Sequence, residues 1–97
     1  MIKSPDFWVY ILHCENGHFY VGYTTDLIKR YRLHKAGKAA KYTRSFPPAH
    51  LAQAWPIYGP KNHAMHIERI LKTMDRLQKQ VVVDTPEILE QIILNQS

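Results

Sequence analysis

Cysteine is nearly missing from this sequence: Cys14 stands alone among 97 residues. A single thiol can form no internal disulfide and no cysteine-based zinc cluster. A reducing, cytoplasmic setting is the expectation for such a chain. Long apolar runs are missing too. None approaches the roughly 18 residues of a membrane span, so no membrane partner is expected. Met1 to Asp6 lack the basic start and apolar stretch that together mark a secretory leader. Internal repeats and low-complexity linkers are also lacking, and the length leaves room for one domain with a modest core.

The most informative absence is acidic. From Leu27 to Ile67 there is no Asp or Glu, while Lys29, Arg30, Arg32, Lys35, Lys38, Lys41, Arg44 and Lys61 all fall in that stretch. The reverse holds after Lys79, where Lys and Arg vanish and Asp84, Glu87 and Glu90 appear. The net charge of +5 is therefore concentrated in the middle of the chain. A field of this kind attracts polyanions and steers their approach. Basic residues interleaved with aromatics are the footprint of a nucleic-acid partner. The plain alternative is a solvated basic helix with no particular partner.

Phe7 to Cys14 is rich in aromatic and branched residues and predicts a strand. Glu15-Asn16-Gly17-His18 supplies turn chemistry, and Phe19 to Tyr23 completes an antiparallel hairpin. Thr24, Thr25 and Asp26 are candidate caps for a helix over Leu27–Ala36, which Gly37 ends. Gly37 to Pro48 is predicted to be a long basic loop, followed by a third strand from His50 to Ile57 whose Pro56 suits an end or an edge. Asn62 can cap a helix to about Met74, with Ala64, Ile67, Leu71 and Met74 on its apolar face. Asp75 would cap a shorter helix to Val83, in which Val81-Val82-Val83 could instead be a strand. A last helix from Pro86 to about Asn95 would bury Ile88, Leu89, Ile92 and Ile93. The order implies an α+β fold: a small three-stranded antiparallel sheet flanked by helices, a ββαβαα core plus a C-terminal helix.

Tyr10 and Tyr20 fall on the two strands of the hairpin, and Gly22 sits inside the second, where a glycine marks close approach of another backbone or a ligand. Taken singly, tyrosines on strands are packing residues more often than reagents. Arg30 and His34 lie four apart on one helix face. The first offers a forked contact to phosphate oxygens, the second a proton acceptor near neutral pH. The alternative is a solvated polar face. Glu68 and Lys72 repeat the four-residue spacing, and the ordinary reading is a surface ion pair worth a few tenths of a kcal/mol. Yet Glu68 is the only acidic residue between Asp26 and Asp75. One carboxylate, with waters and a substrate phosphate, suffices for Mg²⁺.

The order of these pieces is more specific than any one of them. Trp8-Val9-Tyr10, Tyr20-Val21-Gly22, Arg30, His34 and Glu68 together resemble the GIY-YIG nuclease superfamily. The stretches Ala36 to Arg44 and Glu68 to Lys72 are similar to its small stand-alone bacterial subgroup. The resemblance covers Trp8 to Val83, so residues 1–83 are expected to form the nuclease-like domain and residues 84–97 a helical extension. It departs in one triplet, where Trp8 replaces the leading glycine. The late asparagine of some members has no counterpart, Asn95 lying outside the similarity.

The resemblance implies metal-dependent phosphodiester cleavage. Tyr10, Tyr20 or His34 would act as general base, Arg30 would contact the scissile phosphate, and Glu68 would hold Mg²⁺ or Mn²⁺. Gly22, Arg32, Lys41, Tyr42, Thr43, Arg44 and Lys72 are expected to bind substrate. The expected activity is a DNA endonuclease, DNA being favoured over RNA. Weak sequence specificity, a preference for structured or flapped DNA, a role in repair or recombination, and a protein partner for targeting are further expectations. The competing reading is a binding module that grips nucleic acid or a partner without turnover.

Overall fold

The run from Phe7 to Cys14 is apolar on both of its alternating faces, the pattern of a strand covered on two sides. In the computed structural model, which describes residues 3–96, it forms β1 (Phe7–Cys14) at the centre of a three-stranded antiparallel sheet. Met1 and Ile2, where the predicted domain begins, and Ser97, which ends the predicted extension, lie outside the described residues. β2 (Phe19–Thr24) and β3 (Pro48–Ile57) flank β1 in the order β2-β1-β3, so both are edge strands. Pro56 thus sits on an edge, where its missing N–H costs no ladder bond on a second side. Five helices complete the described residues: α1 (Leu27–Lys35), α2 (Lys41–Ser45), α3 (Lys61–Thr73), α4 (Arg76–Asp84) and α5 (Glu87–Gln96).

The two faces of β1 carry different cores. Val9 and Ile11 join Val21, Trp55, Ile57 and the apolar stripe Ala64, Ile67 and Leu71 of α3. Val82 of α4 and Leu89 and Ile93 of α5 close the same cluster, and Trp55 Nε1 donates to the Pro86 carbonyl at 2.9 Å. Each fully buried Leu or Ile side chain contributes roughly 1.5–3 kcal/mol. The opposite face is smaller. Tyr10, Leu12 and Cys14 are buried there against Leu27, Tyr31 and Tyr42.

Helix ends follow the local sequence in most places. Asp26 caps α1 by accepting from the Lys29 N–H at 3.1 Å. Gly37, at φ 74°, lets α1 close with paired bonds from Gly37 N–H to the His34 carbonyl and from Lys38 N–H to the Leu33 carbonyl. Asp75 and Gln78 form a reciprocal capping box, which commits Val81, Val82 and Val83 to α4 rather than to a strand.

Four expectations need correction. The basic loop after Gly37 contains α2, a single turn closed by the Arg44 N–H on the Ala40 carbonyl at 3.1 Å. β3 starts at Pro48, two residues before the predicted His50. Asn62 does not cap α3: the N-cap is Pro60, whose ring has no capping group, and the helix begins at Lys61. Ile88 stays 42% exposed, because only Leu89 and Ile93 of α5 reach the fully buried part of the core.

Candidate active site

Register brings the hairpin's chemistry together. Tyr10 of β1 lies opposite Gly22 of β2, and Leu12 opposite Tyr20, so Tyr10, Tyr20 and Gly22 share one face. A methyl group on Gly22 would meet the Tyr10 hydroxyl, so glycine is what allows the phenol to lie across β2. The close approach at this glycine is thus made by a tyrosine side chain of the same sheet, where another backbone or a ligand was expected.

The Asp26 cap sets where α1 starts, and with it which residues face the sheet. Arg30 and His34 both do, at different depths. Arg30 is half-buried and lines an open cleft of about 520 Å³, together with Tyr10, Tyr20, Gly22, Lys61 and Glu68. Among the described residues, Glu68 is the one carboxylate on this cleft. Its Oε1 lies 3.5 Å from Lys72 Nζ, and its side chain keeps 18% exposure. The predicted ion pair therefore exists, with the carboxylate still open to the cleft.

His34 is 1% exposed and lies behind Tyr10 rather than on the cleft wall. Its Nε2 is 2.8 Å from the Tyr10 hydroxyl, and its Nδ1 is 2.7 Å from Thr43 Oγ1. The Tyr20 ring meets the same imidazole edge to face, with centroids 5.1 Å apart. Burial, reinforced by the Arg30 charge, lowers the His34 pKa to about 4, so the ring is neutral at pH 7. Burial chiefly, and then the neighbouring Tyr20, pushes Tyr10 up to about 12, and Arg30 opposes this only in part. Burial also raises Tyr20, with the Glu68 charge adding to the effect. Arg30 by itself favours a tyrosinate, but desolvation outweighs it in the free protein.

Thr43 was expected to touch substrate. It is fully buried, its hydroxyl spent on His34 and on the Ala40 carbonyl, so direct contact with a ligand is closed to it. Tyr42 stacks on Tyr20 at 6.1 Å with the planes 18° apart, and its hydroxyl is shared by Asn16 and His18. Arg32, Lys41, Arg44 and Lys72 are exposed and lie off the cleft. Lys41 and Arg44 border a shallow depression with Lys38, while Lys72 borders a groove with Phe19, Tyr20, Tyr42 and Lys79.

Phe7, Tyr23, Thr24 and Thr25 also line the wall, and Lys61 is the charged cleft residue that sequence reasoning did not single out. Its spacing was the available signal: seven residues before Glu68, it shares that residue's face of α3. A larger depression of about 670 Å³, bordered by Tyr58, His63, His66 and Arg69, has no carboxylate among the described residues. Cys14 is buried, and burial raises its thiol pKa, so it offers no ready nucleophile.

Against known proteins, the family model described as the GIY-YIG catalytic domain matches residues 6–80. The chain belongs to the GIY-YIG family. A UPF0213 protein from Streptococcus pneumoniae is 42% identical over 73 residues, which is 75% of this chain and 73% of that protein. A UPF0213 protein from the archaeon Halobacterium salinarum is 39% identical over 74 residues, covering 76% of this chain and 95% of that one. The solution NMR structure of the UPF0213 protein BH0048 from Bacillus halodurans aligns with a TM-score of 0.52 and 40% identity, over 81% of this chain and 83% of that one. This GIY-YIG domain is therefore of the nuclease type, with the three-stranded α+β fold shared by its solved relative. The position where Trp8 replaces the signature's leading glycine pairs with Thr24 and lies off the cleft wall.

Proposed function

We propose that this GIY-YIG domain is a metal-dependent endonuclease that hydrolyses phosphodiester bonds in DNA. The observation that carries the reading is convergence: one carboxylate, one guanidinium and three phenols, Tyr10 and Tyr20 with Tyr23, meet in a single cleft that Lys61 also lines. Glu68 is the residue that would hold the ion. A lone carboxylate suits Mg²⁺ or Mn²⁺, which keep several waters and complete their shell with substrate oxygens. Zinc would require three or four protein ligands, and among the described residues no group of three such side chains occurs. When bound, the ion would supply Lewis-acid stabilisation of charge on the phosphate and leaving oxygens.

The protein's own groups divide the remaining work. Arg30 faces the position of a phosphate in the cleft and stabilises the charge that builds there as a nucleophile attacks. Tyr10 is the preferred base among the three candidates, because its hydroxyl alone has a proton acceptor behind it, His34 Nε2 at 2.8 Å. As an in-line water gives its proton to the Tyr10 oxygen, the phenol proton passes to Nε2. The water's oxygen bonds to phosphorus, the bond to the leaving oxygen breaks, and that oxygen takes a proton from solvent. With Tyr10 near 12 and His34 near 4, a resting tyrosinate–imidazolium pair is not populated. The two proton movements are therefore concerted with attack.

Lys61 at the cleft, Lys72 and Lys79 in the adjoining groove, and Lys41, Arg44 and Arg32 farther out supply contacts to the backbone. Such contacts carry affinity with little sequence information. The stacked Tyr20 and Tyr42 rings beside the cleft suit an unpaired base, which supports a preference for flapped or otherwise structured DNA.

The test is cleavage of labelled flapped, branched, single-stranded and duplex DNA with Mg²⁺ or Mn²⁺, comparing wild type with Glu68→Ala and Arg30→Ala. Metal-dependent cutting that both variants lose is the expected result. Salt-sensitive binding without cutting would instead make the protein a binding module.

A further inference from the structure

We infer that Thr43 is a positioning residue for Tyr10, acting through the tautomer of His34. The inference rests on the nuclease reading for its catalytic consequence, and on donor accounting for its chemistry.

Three side chains form a buried row: Tyr10, His34 and Thr43, at 1%, 1% and 0% exposure. The hydroxyl of Tyr10 is 2.8 Å from His34 Nε2, and His34 Nδ1 is 2.7 Å from Thr43 Oγ1, which in turn donates to the Ala40 carbonyl at 3.3 Å. A neutral imidazole carries one N–H, and each hydroxyl has one proton to give. His34 and Thr43 lie off the cleft, so burial leaves no water at that end of the row to absorb a mismatch, and an orphaned buried donor costs more than a poor bond.

One assignment gives every proton of the row an acceptor within the row itself. Arg30, beside the Tyr10 hydroxyl, has donors alone to offer that oxygen. The Tyr10 proton therefore goes to Nε2. The imidazole proton must then sit on Nδ1 and point at Thr43 Oγ1, and the Thr43 proton goes to the Ala40 carbonyl. The opposite tautomer would aim Nε2–H at the Tyr10 oxygen, turn the phenol proton out to the cleft and leave Nε2 unable to take a proton. Thr43 thus holds His34 with Nε2 free to take a proton, from a position with no access to substrate.

Placement on α2 explains why this short helix exists. Thr43 turns inward to His34, while its neighbour Tyr42 stacks on Tyr20, so one turn braces both tyrosines of the site.

The decisive experiment is nitrogen NMR of the His34 ring in the full chain, free of metal and DNA, for wild type, Thr43→Val and Thr43→Ser. Wild type and Thr43→Ser are expected to show a protonated Nδ1 and a bare Nε2. Thr43→Val, of the same shape without the hydroxyl, is expected to lose that preference and to cut DNA with kcat reduced roughly ten- to a hundredfold at little-changed KM. Thr43→Ser should recover kcat to within a few-fold. A wild-type ring protonated at Nε2, a Thr43→Val ring unchanged from wild type, or an equal loss of kcat in Thr43→Ser would overturn the inference. Failure of the wild type to cut DNA would remove the nuclease reading and the catalytic consequence, while the nitrogen shifts alone decide the tautomer.

Discussion

A methyl group placed on Gly22 would lie 2.5 Å from the Tyr10 hydroxyl oxygen and 2.7 Å from the ring carbon that bears it. The phenol cannot retreat, because its hydroxyl is tied to His34 and its ring is closed in by the small core. Gly22→Ala is expected to destabilise the fold by about 1–3 kcal/mol, the usual range for overpacking. It should also lower cleavage at least tenfold by moving the phenol. A thermal melt and initial rates on the preferred DNA check both effects, and a fully active Gly22→Ala would mean that the phenol's position is unimportant.

Arg30→Lys keeps the charge but loses the planar fork that grips two phosphate oxygens. We expect a fall in kcat on the order of a hundredfold, the scale of removing one donor aimed at developing charge. The second readout is independent of cutting. Arg30→Ala should raise the His34 pKa in an NMR titration, since the Arg30 charge is one of the two forces that depress it.

For Glu68→Gln the expected dissociation is between activity and stability. Among the described residues the carboxylate's ion pair is with a half-exposed Lys72 at 3.5 Å, an interaction worth a few tenths of a kcal/mol. Its loss should leave the melting temperature within a degree or two, while metal-dependent cleavage disappears at every Mn²⁺ concentration tried. A large drop in stability would assign Glu68 to the fold rather than to the chemistry.

His34 makes stability depend on pH. Its folded pKa, near 4, is below the ordinary 6.5, so the unfolded chain binds more protons between those values. The contribution is fully present above about pH 6.5 and is lost as pH falls towards 4. At 1.36 kcal/mol per pKa unit its size is on the order of 3 kcal/mol. Urea unfolding at several pH values should show this slope in the wild type. His34→Gln should be flatter over the same range, and an identical slope would argue against a buried neutral ring.

Reversing Lys41 and Arg44 to glutamate should weaken DNA binding about equally for all sequences. It should also reduce the dependence of affinity on salt by roughly one phosphate contact per cation removed. Fluorescence anisotropy across a salt series measures both quantities.

Much of the fold was readable from periodicity and capping. The doubly apolar run of β1, the stripe Ala64, Ile67 and Leu71, and the caps Asp26 and Asp75 each place an element by local physics. The helix α2 was not readable, because five residues are too few to show a period and a single turn is unstable alone. It is held by contacts distant in sequence, Thr43 with His34 and Tyr42 with Tyr20. The same cause hid the inward role of Thr43, since residue type and neighbours suggested a basic surface loop. Spacing revealed that Arg30 and His34 share a helix face. It said nothing of depth, which separates a guanidinium on the cleft from an imidazole behind it.

Because β1 serves two cores, its successive residues answer to different demands. Val9 and Ile11 hold the large assembly with α3, α4 and α5, while Tyr10 between them belongs to the small face that carries the proposed chemistry. A change at Val9 or Ile11 would therefore reach the cleft through α3, which carries Glu68 and Lys61, whereas a change at Tyr10 reaches it directly. Durability and the proposed reactivity meet in this strand, one residue apart.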